Sequence, residues 1–195
     1  MIGCANARIT RMNGRILGVV ALAAVLSGCS ATTNAASPPP SSSASATYAI
    51  PPQPVRHDET ALHLPPAQAG DTVFTLLGLT TGIQSIVGSH AEFPAKGQFV
   101  RVRVVITNVG RSSVLFDTHR QELILADGST QQTNLDAMTI KRQPATFDLG
   151  AAVQVEFDLY WDIPKDAKPV GLRVHGGPTL TDMKDENGTD IKLPT

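Results

Sequence analysis

An immunoglobulin-like antiparallel β-sandwich of about seven strands is the fold this sequence predicts, and three observations predict it. From Asp71 onward, apolar and polar residues alternate in short runs. Turn-forming residues separate those runs, and no segment of useful length carries apolar residues at helical spacing. A strand that is apolar on one side needs a second sheet to cover that side, hence a sandwich.

The runs are readable in order. "TVFTLLGLT" opens the series, and the segment from Gly82 to Gly97 reads as a long loop outside the ladder, where binding residues tend to sit. "QFVRVRVVITN" places Val100, Val102, Val104 and Ile106 on one face and Arg101, Arg103 and Thr107 on the other. "SVLF", "QELILA" and "STQQT" are shorter candidates, and Asp127-Gly128 between the last two is a hairpin signal. "VQVEFDLYWD" turns Val153, Val155, Phe157, Leu159 and Trp161 inward; Gln154, Glu156, Asp158 and Tyr160 face out. "PVGLRVHG" closes the set with Val170, Leu172 and Val174 inward. Asn108 to Gly110 and Pro164 to Asp166 read as turns. Matched length and parity predict that strand 98–107 pairs antiparallel with strand 152–161. That pairing brings Arg101 and Arg103 near Glu156 and Asp158 on an exposed face.

The amino-terminal part has a different character. Basic residues Arg8, Arg11 and Arg15 precede an apolar run, Ile16 to Leu26, of 11 residues. A membrane-spanning helix needs about 20, whereas a run of this size matches the core of a signal peptide. Met12 would serve as a start as well as Met1. Leu26-Ser27-Gly28-Cys29 resembles the bacterial lipobox. The resemblance implies cleavage between Gly28 and Cys29 and a diacylglycerol thioether on Cys29, carrying acyl chains such as palmitate. Residues 1–28 are then a lipoprotein signal peptide, and the partner of Cys29 is a membrane. Cys4 lies in the segment removed, so the mature chain keeps one cysteine and forms no internal disulfide.

Residues 29–66 are rich in Ser, Ala and Pro and read as a disordered stalk, because such a composition cannot offset its ordering entropy by burial. His57, Asp58, Glu59 and His63 fall in this stretch and read as a solvated polar tract rather than a metal site, which needs fixed geometry and a second shell. The domain proper is expected over 67–195.

Residues in that domain suggest a family. "FPAKGQFVRVRVVITNVG", "FDTHRQELILADGSTQQT" and "FDLGAAVQVEFDLYWDIPKDAKPVGLRVHG" together resemble the telokin-like, immunoglobulin-like extracellular domain of bacterial lipoproteins, similar to a secreted immunoprotective antigen of mycobacteria and largely a domain of unknown function. The matching positions are Gly97, Phe99 and Asn108; Leu123, Leu125, Asp127 and Gly128; then Phe157 and Pro164. The resemblance spans about 68–177 and implies a β-sandwich, export and no established catalytic residues. With the lipobox and stalk it implies an actinobacterial envelope lipoprotein, mycobacteria being among the candidate sources.

The rest of the chain offers no pattern that points to catalysis or metal binding. "GIQSIVG" lacks the Gly-x-Ser-x-Gly spacing of a hydrolase elbow. His90 and His119 fall in expected loops, and His175 faces outward from a strand. Met138, His175 and Met183 are too scattered for a copper carrier. Asn187-Gly188-Thr189 reads as a tight turn rather than a glycan acceptor. The three early arginines belong to the 16 basic residues; without them the 17 acidic residues leave a net charge of −4. No nucleic-acid face follows from that balance. The expectation is a non-catalytic envelope lipoprotein with no cofactor, presenting its domain to an envelope or host protein. The alternative is a small-molecule carrier with a pocket between the sheets, and an enzyme comes third.

Overall fold

Strand β4, Glu92–Asn108, runs between β3, Thr72–Val87, and β9, Gln154–Ile163, and the rest of the domain is arranged around it. The structure, a computed structural model, describes residues 54–179, 183–184 and 187–194. Two short strands, β1 (Thr60–Ala61) and β2 (Ala67–Ala69), both pair antiparallel with β3 and complete a five-stranded sheet. A four-stranded antiparallel sheet faces it, in the order β11 (Thr189–Lys192), β10 (Pro169–Val174), β6 (Glu122–Leu125) and β7 (Thr130–Gln132). A third ladder pairs β5, Val114–Asp117, with β8, Thr146–Leu149.

The expected sandwich is therefore present, with more strands than seven because several are too short to announce themselves. In β1 and β2 there are two and three residues, too few for alternation to show. β8 and β11, of four residues each, also add to the seven. A single α-helix among the described residues, α1 (Leu135–Ile140), has six residues and starts where the Asn134 side-chain oxygen Oδ1 caps the Ala137 amide at 2.9 Å. At under two turns it cannot carry a readable apolar stripe.

The core lies between the two large sheets. Val100, Val102, Val104 and Ile106 of β4 are fully buried, as are Trp161 and Leu159 of β9, and they share one cluster with Leu123, Leu172 and Val174 of the facing sheet. Phe74, Phe116, Phe147 and Phe157 pack with ring centroids 5.6–6.3 Å apart. The Trp161 indole donates to the Gln121 carbonyl at 3.3 Å, which gives its one polar atom a partner. Val153, expected inward, is 43% exposed because β9 begins only at Gln154.

Pairing of β4 with β9 follows the expected sense: Arg103 stands opposite Asp158, Arg101 opposite Tyr160 and Val105 opposite Glu156. Two expectations are corrected. The segment from Gly82 to Gly97 is no loop: β3 and β4 continue to pair through Ser85–Pro94, Ile86–Phe93 and Val87–Glu92, leaving a short turn at its tip. Its Gly and Ser content hides a ladder whose register is broken by irregularities near Gly78 and Gly82. Residues 54–66 also depart from the solvated stalk. Leu62 joins the core at 6% exposure, β1 belongs to the sheet, and the arm before it lies on the sheet face. Sheet and core thus include Thr60, Ala61 and Leu62, ahead of the expected boundary at 67. The signal peptide, Cys4, Met12, Cys29 and the earlier part of the stalk lie outside those residues.

Two side-chain amides, Gln98 within β4 and Asn108 at its end, tie the strand to its surroundings. Gln98 donates from Nε2 to the Lys165 carbonyl at 2.6 Å and the Ala167 carbonyl at 3.1 Å, and accepts from the Gly82 amide at 2.8 Å. Asn108 donates to the carbonyls of Ser112 and Leu149, both at 2.8 Å, and accepts from the Gly110 amide. Between Gln98 and the turn after β9, the backbones come so close that a Cβ on Gly97 would run into the Ile163 carbonyl and the Lys165 amide. Because both obstacles are main chain, Gly97→Ala should cost about 1–3 kcal/mol of unfolding free energy by overpacking. Urea titration of the two proteins measures it, and a difference under about 0.5 kcal/mol would show that the close approach is dispensable.

Candidate functional site

The side of β4 that faces away from the core carries Arg101 and Arg103, and the structure buries both: relative exposure is 8% and 3%. What covers them is the arm of residues 54–59. Its turn is closed by the Glu59 amide donating to the Arg56 carbonyl at 3.2 Å and by the Arg56 amide donating to Glu59 Oε1 at 2.9 Å. The Glu59 carboxylate, with a fully buried side chain, then sits on the guanidinium of Arg103, accepting from Nη2 at 2.5 Å and from Nε at 3.2 Å; Arg101 Nη2 lies 3.8 Å away.

Gly78 is the floor of this slot. It faces Arg103 across the β3–β4 ladder at a register irregularity, and a Cβ there would occupy the space of the Glu59 carboxylate. On the β9 side, Arg103 Nη1 donates to Glu156 at 3.1 Å, and Arg56 Nη1 donates to both oxygens of Asp158, at 2.7 and 3.0 Å. Arg101 forks onto Asp58, with two bonds of 3.1 Å, and also donates to the Thr80 hydroxyl, which donates in turn to the Asp58 carbonyl. Paired forks of this kind set orientation as well as attraction.

Ionisation follows the geometry. The hydrogen bond from Arg101 holds the Asp58 carboxyl below its usual range, against the opposing effect of desolvation. Burial works against the charge of Arg101, but the bond to Asp58 and the nearby carboxylates offset it, and its pKa ends above normal. Tyr160, beside them, is raised first by burial and then by the charge of Asp158.

The arrangement is suited to holding a carboxylate. It is not an acid–base centre, because an arginine does not give up its proton. Glu156 and Asp158 are paired as expected, but the face they occupy is covered rather than wet. His119 Nδ1 lies 3.2 Å from the Thr133 hydroxyl, which itself donates to the Thr118 carbonyl. His175 Nδ1 lies 3.4 Å from Arg120 and its amide donates to Gln121. His90 lines a depression of about 280 Å³ between the hairpin tip and α1, away from the other two. His57 and His63 lie in the arm and just after β1. Among the described residues no three of His, Cys, Asp and Glu are grouped to hold a metal ion, and none of their helices is long and apolar enough to cross a membrane.

Residues 65–185 match the family described as Domain of unknown function (DUF4352). The chain belongs to this DUF4352 family. The fold is similar to the crystal structure of the yjhA protein from Bacillus subtilis, at 16% identity, covering 67% of this chain and 97% of that one with a TM-score of 0.50. Weaker likenesses are to a conserved hypothetical protein from Bacillus anthracis (13% identity, 69% and 96% coverage, TM-score 0.47) and to MPT63, a secreted protein from Mycobacterium tuberculosis (16% identity, 61% and 85% coverage, TM-score 0.37). No curated protein matches the chain. The yjhA likeness bears on the fold alone.

Arg101 and Arg103 were legible as an outward pair of cations; the slot over them was not. Its signal lies in the adjacent acids Asp58-Glu59 and in the glycine at 78, residues far apart in sequence that β1 brings together.

Two outcomes follow from this geometry. Asp58 has a folded pKa below its unfolded value of about 3.9, so its contribution to stability is complete above that value and is lost as pH falls through the lowered one. Wild type should therefore lose more stability than Asp58→Asn below about pH 4; parallel pH curves would remove Asp58 from the account. Added zinc or copper should leave the melting temperature unchanged, since a site on the native state alone would raise it by mass action. A rise of several degrees at micromolar metal would reveal a site.

Proposed function

We propose that this DUF4352 protein is an exported, lipid-anchored envelope protein that presents its immunoglobulin-like domain as a binding module rather than as an enzyme. Cys29 is the anchor and Gly28–Cys29 the cleavage site; the source is actinobacterial. The observation that carries the reading is the lipobox, Leu26-Ser27-Gly28-Cys29, placed directly after an apolar run too short to span a bilayer. Two or more acyl chains, each methylene contributing about 0.8 kcal/mol, make a stable tether where one is marginal.

The interior supports a binding surface over a carrier. Trp161, Phe74, Phe116, Leu123, Leu172 and their neighbours fill the space between the sheets. Depressions with exposed rims lie at the margins of the described residues: one of about 550 Å³ beside Asp58, Glu59 and Thr80, one of about 530 Å³ beside Lys96, Asp162 and Lys165, and one of about 440 Å³ beside Leu115, Pro178 and Met183.

Replacing Cys29 with Ala should abolish incorporation of labelled palmitate in the native host and leave the melting curve of the folded domain unchanged. Wild-type protein that takes up no acyl label would make it a plainly secreted domain.

A further inference from the structure

We propose that the Arg101–Arg103 face is a recognition site for an acidic peptide strand of a partner protein, occupied in this structure by the chain's own residues 54–59. The inference deepens the binding-module reading and does not depend on the lipid on Cys29.

Four features carry it. First, the arm is held as a peptide ligand is held. It approaches the free side of β3, where Thr60 pairs with Leu79 and Ala61 with Gly78, and it places one acidic side chain in a slot. Strand addition with a side-chain pocket is a general mode of peptide recognition.

Second, the arm has no apolar anchor of its own. Val55 is 57% exposed, and the inward groups of the arm are the charges of Arg56 and Glu59 together with Asp58 at the edge. The first buried apolar side chain is Leu62, whose amide donates to the Leu77 carbonyl at 2.9 Å. Leu62 pins the chain and the residues before it can lift without opening the core.

Third, the receptor side survives the departure of the arm. Arg103 keeps Glu156, and Asp158, released by Arg56, stands directly opposite Arg103 in the ladder. Arg101, Arg103, Glu156 and Asp158 all sit on the paired strands β4 and β9, so the slot does not need the arm for its shape.

Fourth, stability alone does not call for this design. Taking ions out of water costs several kcal/mol each, and apolar residues of similar volume commonly do as well or better. Gly78, too, serves the carboxylate: without it the slot would be closed by a Cβ.

The ligand this implies is a short extended segment bearing adjacent acidic residues, its carboxylate set between Arg101 and Arg103. The cis arm makes apparent affinity depend on how often the site is open. Removing the arm's acids should therefore expose it.

The test uses a fluorescent peptide with the sequence of residues 54–61 and the full chain. The peptide should bind Asp58→Ala/Glu59→Ala at least about tenfold more tightly than wild type. Binding should be lost when Gly78→Ala is added, and when the peptide carries Gln in place of its Glu. Equal binding to wild type and the double variant, or none to either, would overturn the proposal. So would binding that is indifferent to Gly78→Ala. Hydrogen exchange of the unaltered protein gives an answer that needs no variant. The amides of Arg56 and Glu59 should exchange through an opening that leaves the β4–β9 amides protected. Exchange of all of them only on global unfolding would make the arm a permanent part of the fold and the proposal wrong.

Discussion

One strand buried from both sides governs this domain. Along the stretch Phe99–Asn108 every residue of β4 is buried, but its two faces are buried by different chemistry. Towards the facing sheet, Val100, Val102, Val104 and Ile106 meet an apolar layer and need only shape. On the opposite face, Arg101 and Arg103 can be covered only by groups that supply carboxylates. The acids on β9 do part of this, and Asp58 and Glu59 do the rest. The position of the arm, the glycine at 78 and the pairing of β1 all answer to those two cations.

That division explains what could be read from the sequence. The inner face obeys period-two alternation, so the sandwich, the β4–β9 pairing and the Asp127-Gly128 hairpin were all visible. The outer face obeys the same alternation, and two arginines in outward positions look like solvated surface. Whether an outward residue meets water depends on a segment some 40 residues away, and no local pattern encodes that. Residues 54–59 depart from expectation for the converse reason: a prolyl, polar stretch has no apolar content to declare a docked segment, since its attachment is ionic. The Gly82–Gly97 hairpin was hidden by irregular register, which breaks the alternation that would have revealed it.

Function was legible in a similarly uneven way. The proposed anchor rests on a contiguous stretch, Leu26-Ser27-Gly28-Cys29, whose resemblance to a lipobox is visible in the sequence itself. A site for a partner has no such motif, because its parts come from the arm, β3, β4 and β9. The family is a domain of unknown function and the yjhA likeness bears on the fold alone, so the residues themselves must speak. They speak for carboxylate recognition.

The attachment of the arm has a mechanical side. Tension applied to the chain from its amino-terminal direction reaches residues 54–59 first. They are held by ion pairs, and Thr60 and Ala61 behind them by a two-residue ladder, so that these attachments bear load one after another. Only then does load arrive at Leu62, and beyond it at β2 and the long β3–β4 hairpin, where many backbone bonds share it. The arm would yield at low force while the sandwich behind it stays intact, so that a pull on the chain lengthens its reach and uncovers a pair of arginines in the same motion.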